Sequence, residues 1–174
     1  MRTNTVSAEY RILRIFLWMV LIAYMLVLTK MILVKQGPGF VKRQILHNWT
    51  WPKVKKHAKE GNYTLFATVK LYLRSSRTDY SIPNLGGNIV GFIPLGFLLP
   101  SLFKGLRRGW KVMLASFLVS LGFEGTQLLT LLGSFDVDDL LLNTIGGTLG
   151  YLFFLLFYYV SFRRRIPAPV RVSS

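Results

Sequence analysis

Four stretches too long and too apolar for the inside of a small soluble domain set the limits on this chain. Ile15 to Thr29 is uncharged between Arg14 and Lys30, and Met31 to Val34 carry the run past the lysine. Ser81 to Phe103 is uncharged, Val112 to Phe135 holds only Glu124, and Leu140 to Phe162 holds no charge. At about 1.5 Å per residue, about 20 residues cross a hydrocarbon core of roughly 30 Å. Each stretch reaches that length once Arg14 and Lys30 snorkel to the interface. The chain therefore reads as all-α: a polytopic membrane protein of one domain, residues 1–174, with spans at about 12–34, 82–103, 112–133 and 140–162. A long basic extracytoplasmic loop, 35–80, separates the first span from the second. A cleaved signal peptide competes for the first run, because Arg2, Arg11 and Arg14 precede it. The run is too long for that, and no small-x-small cleavage site closes it.

Composition agrees with the spans. Hydrophobic residues make up 52% of the 174 and charged residues 17%, with a mean hydropathy of +0.41. No cysteine is present, which excludes a disulfide framework, a thiolate metal site and a cysteine nucleophile. There is no tandem repeat, low-complexity tract, nucleophile elbow, phosphate-binding glycine loop or dinucleotide fingerprint.

The net charge of +15 gives the orientation. Bases near the ends of spans mark the cytoplasmic side. Arg2, Arg11 and Arg14 precede the first span, Lys104, Arg107, Arg108 and Lys111 follow the second, and Arg163, Arg164, Arg165 and Arg171 follow the fourth. The turn between the third and fourth spans has no base and carries Asp136, Asp138 and Asp139. Both termini are expected in the cytoplasm and the acidic turn outside. The other half of the bases, from Lys30 to Arg77 and including Lys53, Lys55, Lys56 and Lys59, then lie at or beyond the outer interface. Positioned by topology and suited to anionic headgroups, the bases do not suggest nucleic acid as a partner.

Within the outer segment, Phe40, Val41, Ile45, Leu46 and Trp49 recur near helical spacing around Lys42 and Arg43. That pattern fits a basic amphipathic helix on the outer leaflet, with a solvated loop as the alternative. Asn62 to Leu73 is too short to span and reads as a re-entrant or interfacial piece. Asn48-Trp49-Thr50 and Asn62-Tyr63-Thr64 match the glycosylation pattern, which arises often by chance. His47 and His57 lack zinc-motif spacing and read as ordinary surface histidines.

Polar groups inside a span are costly, so each asks for a partner or a function. Glu124 and Gln127 share a face of the third span, Asp139 and Asn143 one of the fourth, and Asn84 and Asn88 one of the second. All but Asn84 are expected to converge on a polar pocket in the outer half of the bilayer. Buried near mid-span, the Glu124 carboxylate has to be protonated, paired with Lys30 or Lys70, or bound to a cation. A divalent cation such as Mg2+, shared by Glu124, Asp136 and Asp139, would satisfy it. The bland alternative is that these groups only join helices, with Asp136 and Asp138 as solvated turn residues. Gly87 with Gly91, Gly146 with Gly150, and Gly122 with Gly125 have the small-residue spacing of close helix packing. Pro94 and Pro100 remove backbone donors in the second span, so a kink or break near Pro94 is expected.

Four stretches together resemble the VanZ-like family of bacterial membrane proteins. They are Asn62 to Val69; Asn84 to Pro100; Glu124-Gly125-Thr126-Gln127; and Phe135-Asp136-Val137-Asp138-Asp139 running on to Asn143 and Gly147. Leu65 stands where that family usually has proline, and Gly133 where it commonly has arginine. The resemblance implies a bacterial plasma-membrane protein and an association with low-level teicoplanin resistance, and it supplies no reaction. By family position it carries over Asn88, Glu124, Gln127, Asp136, Asp139 and Asn143.

Three functions fit these residues. In the first, a membrane enzyme acts on a phosphorylated lipid, such as a polyprenyl phosphate or cell-wall precursor. Glu124, Asp136 and Asp139 would be catalytic or metal-ligating there, and Asn88, Gln127, Asp138 and Asn143 would bind substrate. In the second, a non-catalytic binder or shield reduces accumulation of a lipoglycopeptide antibiotic. In the third, the chain is a structural assembly partner, and the polar cluster is satisfied internally.

Overall fold

The computed structural model describes the backbone of residues 2–74 and 78–163, and the side chains of residues 9–71 and 85–161. The side chains of Arg2, Arg74, Asn84 and Arg163, and all of Arg77, Arg164, Arg165 and Arg171, lie outside the described residues.

Four long helices carry the apolar stretches: α1 (Arg2–Leu33), α5 (Thr78–Leu102), α6 (Gly109–Thr130) and α7 (Val137–Arg163). Their membrane-length portions are Glu9–Leu33, Leu85–Leu102, Gly109–Thr130 and Val137–Ser161. Four apolar stretches in the sequence and four membrane-length helices in the structure agree in number and order. The third span ends early because Leu131 adopts the left-handed conformation at φ 60°. The amides of Leu132 and Gly133 then turn back onto the Gln127 carbonyl, at 3.0 and 3.4 Å, and close the helix. Ile12, Met19, Ile22 and Leu26 on α1, and Leu152, Leu156 and Phe157 on α7, are exposed. Apolar surface on that scale belongs against lipid.

Lipid tails are as apolar as leucine, so close packing has to hold such helices together. The tightest seam joins α5 to α7. A Cβ on Gly96 would strike the Gly147 carbonyl, one on Gly146 that of Ile89, and one on Gly150 that of Ile93. Gly147 also meets Ser116 of α6, which brings the third helix against the seam. The close approach therefore uses Gly146 and Gly150, as their spacing suggests, with Gly96 and Gly147. Gly87, Gly122 and Gly125 face open space, and Gly91 makes only an ordinary contact with Leu28 at 3.6 Å. Nor does α5 break near Pro94: it continues through Pro94 and Pro100 to Leu102. Membrane helices tolerate proline where neighbouring groups re-satisfy the freed carbonyls. The last long helix, α1, leans on this unit through Leu21 and Leu28, buried with Phe92, Leu95 and Leu98. Its Tyr24 hydroxyl donates to the Gly91 carbonyl at 2.6 Å.

The segment between the first and second spans is mostly helical. Pro38–Arg43 forms α2 and continues into a wide turn over Gln44–Asn48; α3 is Trp51–Glu60 and α4 is Ala67–Arg74. Proline sits in the first turn of α2 and of α3, where its missing N–H costs nothing. Between the helix and the loop left open for Phe40 to Trp49, the backbone takes the helix.

The bundle has two chemically distinct ends. At one, Trp18 packs edge-on against Phe103 at 5.3 Å, and the Tyr151 hydroxyl donates to the Arg107 carbonyl at 2.8 Å. That end gathers Arg11, Arg14, Lys104, Arg107, Arg108 and Lys111. At the other, Gln127 Nε2 donates to the Ile32 carbonyl at 3.2 Å and Trp49 Nε1 to that of Leu129 at 2.8 Å.

Candidate functional site

The site at the second end grows from the turn between α6 and α7. Asp136 caps α7: its Oδ1 accepts the Asp138 amide at 2.8 Å, satisfying a donor that the helix leaves unpaired. The same oxygen accepts Asn62 Nδ2 at 2.8 Å, and Oδ2 accepts the Thr68 hydroxyl at 2.6 Å. Backbone bonds run alongside, from Asn62 N to the Phe135 carbonyl at 2.8 Å and from Val137 N to the Asn62 carbonyl at 3.0 Å. Tyr63 and Phe135 stack at 5.4 Å across this bridge.

Asp138 is fully buried and serves the next helix. Its carboxylate accepts the amides of Phe66 at 2.5 Å and Val69 at 3.0 Å, at the start of α4. Phe66 reaches that position with a left-handed φ of 65°, and Asn62 Oδ1 accepts the Thr64 amide at 3.0 Å to hold the turn. The two aspartates therefore latch residues 62–69 onto the α6–α7 turn. Asp138, fully buried, is not the solvated turn residue of the bland alternative, and Asp136, only partly buried, is held by donors of the chain itself.

Behind the latch lies Glu124, 2% exposed, whose Oε2 accepts the Asp136 amide at 2.8 Å. No salt bridge joins it to Lys30 or Lys70 among the described residues. Asn88 of α5 donates to Asp139 Oδ1 of α7, and Lys35 lies within electrostatic range of Asp139. One turn deeper, Asn143 Nδ2 donates to Ser120 Oγ at 2.8 Å, while Asn143 Oδ1 and Ser116 Oγ are buried without a partner. Gln127 departs from the cluster: it faces α1 and packs against Gly133, so it joins helices where a shared face with Glu124 suggested a shared site.

Six of the seven expected residues thus come together at one end: Glu124, Asp136 and Asp138 in one chain of bonds, Asn88 with Asp139, and Asn143 with Ser120. Among the described residues no group of three His, Cys, Asp or Glu side chains is placed to hold an ion, and both Asp136 oxygens already accept protein donors. Residues that the sequence did not mark as part of the site complete the layer: Asn62, Thr68, Ser120 and Lys35. Ser116, Ser120 and Glu124 recur every four residues on α6, a polar stripe that spacing alone could have revealed.

Two cavities open here. One of about 60 Å³ lies between α1, α5 and α7, walled by Leu28, Phe92, Asn88 and Asn143. The other, about 340 Å³, is lined by Gln44, Asn48, Lys53, Lys56, His57, Glu60 and Leu131. Gln44 Nε2 ties its floor to the Leu131 carbonyl at 3.3 Å, Lys53 donates to the Asn48 carbonyl at 3.0 Å, and Lys56 pairs loosely with Glu60 at 3.7 Å. His57 is not an ordinary surface residue, since its Nδ1 is buried there without a partner.

Comparison with known proteins gives two matches. A family model described as VanZ/LLP1 matches residues 16–158. Protein VanZ of Enterococcus faecium is 42% identical over 64 residues, which are 36% of this chain and 38% of that protein. The aligned part thus spans well under half of that relative's length. No solved structure matches.

Proposed function

The chain belongs to the VanZ/LLP1 family, and from that premise we propose that it is a bacterial plasma-membrane protein that binds a phosphorylated lipid at its outer face and thereby lowers susceptibility to teicoplanin-type glycopeptides. Both termini are cytoplasmic in this reading, following the bases beside the spans. The lipid is a polyprenyl phosphate or a cell-wall precursor built on one.

One observation carries the reading. The basic segment is held directly over the buried polar layer, by Gln44 on the Leu131 carbonyl, Trp49 on that of Leu129 and Asn62 on Asp136. Lys53, Lys56 and His57 then line a cavity of about 340 Å³. Two lysines and a histidine outnumber the single acid, Glu60, in that lining, and with Trp49 and Trp51 exposed on the same segment the cavity suits a lipid phosphate.

The hydrogen bonds favour holding over cleavage. Asp136 and Asp138 are committed to amides and side chains of the chain itself, and Glu124 supports the Asp136 amide. In this reading the acids are scaffold and the lysines do the binding.

The test is the teicoplanin susceptibility of a bacterium expressing the chain. Intact protein is expected to raise the inhibitory concentration, K53Q/K56Q to abolish the rise at equal membrane level, and E124Q to retain most of it. Loss with E124Q alone would favour catalysis. Orientation is tested by S134C, which an impermeant thiol reagent should label from outside; the chain has no cysteine of its own, and Ser134 is exposed.

A further inference from the structure

At the end of the bundle opposite the polar layer, three bases from three elements turn onto one space. Arg14 comes from α1, Lys104 from the turn Lys104–Leu106, and Lys111 from the first turn of α6; together they line a cavity of about 800 Å³. A smaller cavity of about 100 Å³ shares Arg14 and Ser101 and adds Arg107. Tyr10, Leu102 and Phe103 supply an apolar wall.

The rule that bases mark the cytoplasmic side explains why these residues lie at this end. It does not explain why they converge, since bases spread over the surface would satisfy it equally. Among the described residues no carboxylate pairs with Arg14, Lys104 or Lys111, and no acid lines the cavity. The turn that carries Lys104 is also fixed in place: Arg107 Nε donates to the Pro100 carbonyl at 3.3 Å and its guanidinium lies 5.6 Å over the Tyr158 ring. Converging cations held without a counter-ion, with an apolar wall at the end of the spans, have the chemistry of an anionic headgroup site. The volume falls within the range of ordinary ligand pockets, about 300 to 1,000 Å³.

We infer that this cavity is a binding site for an anionic phospholipid, with Arg14, Lys104 and Lys111 on the phosphate and Tyr10, Leu102 and Phe103 against the start of the chains. The site is independent of the outer one and does not rest on the function proposed above.

Purified full-length chain in neutral detergent, titrated with phosphatidylglycerol, phosphatidylcholine and free glycerol phosphate and read by native mass spectrometry, tests it. Phosphatidylglycerol is expected to bind and the other two to bind far more weakly. With about 1 kcal/mol for each base near a lipid phosphate, R14Q/K111Q should weaken phosphatidylglycerol roughly thirtyfold. R11Q/R108Q removes the same charge at the same end from residues outside the cavity, and should change affinity by less than about threefold. Equal losses in the two double variants would reduce the effect to net charge and overturn the site. Equally tight phosphatidylcholine would overturn the role of the bases, and equally tight glycerol phosphate would overturn the lipid as source. Should R14Q/K111Q fail to fold, R14Q and K111Q singly are each expected to cost about fivefold, and unchanged binding in both would refute the inference.

Discussion

The two ends of the bundle handle charge in opposite ways. At the acidic end Glu124, Asp136, Asp138 and Asp139 each accept a hydrogen bond from the chain, and two of them join segments more than 60 residues apart in sequence. At the basic end Arg14, Lys104 and Lys111 surround an open cavity with no acid among its lining. The difference teaches that cost alone does not mark a ligand site in a membrane chain. The buried acids are the costlier residues, and the fold uses them for its own caps and turns; among the described residues no acid pairs with the bases at the other end.

The sharpest way to break this contrast is at Asp138. Replacing it by alanine orphans the Phe66 and Val69 amides in a buried place, at about 1 to 3 kcal/mol each, so D138A should lose about 3 kcal/mol or more in reversible unfolding in detergent. A loss below about 1 kcal/mol would mean that the latch is ornamental. E124A comes next, expected to cost about 2 kcal/mol through the Asp136 amide, whereas E124Q keeps an acceptor there and should cost under about 1 kcal/mol. N143A removes one bond to Ser120 and an oxygen that has no partner, so about 1 kcal/mol is expected from the same unfolding measurement. At the other end, K104Q and R14Q should stay within about 0.5 kcal/mol of the unchanged protein in neutral detergent. Equal penalties at the two ends would dissolve the distinction.

Much of the scaffold is legible in the sequence, because spans are fixed by a local property. Uninterrupted apolar length marks four stretches, and each is carried by a helix long and apolar enough to cross a membrane. Long-range pairing is not local, and there the sequence was read less well. Asn62 reads as a chance glycosylation match, yet it bonds Asp136, 74 residues away. Gly87 and Gly91 have the spacing of a packing face, but spacing says nothing of which side of the helix meets a neighbour. The seam uses Gly146 and Gly150, whose spacing marked them, but also Gly96 and Gly147, which belong to no pair picked out by spacing. Likewise Glu124 and Gln127, about 60° apart on one helix, are close enough to suggest one site and far enough to reach α7 and α1 separately. The residue set of the polar layer could be picked out by desolvation cost; its hydrogen-bond partners could not.

In the function proposed above, the acids at the acidic end of the bundle build and the lysines over it bind. The most direct test is equilibrium binding of a polyprenyl phosphate to the purified full-length chain, to K53Q/K56Q and to E124Q. The account predicts that the lysine variant binds roughly thirtyfold more weakly while E124Q stays within about threefold of the unchanged protein. Binding that survives K53Q/K56Q and disappears in a folded E124Q would contradict it.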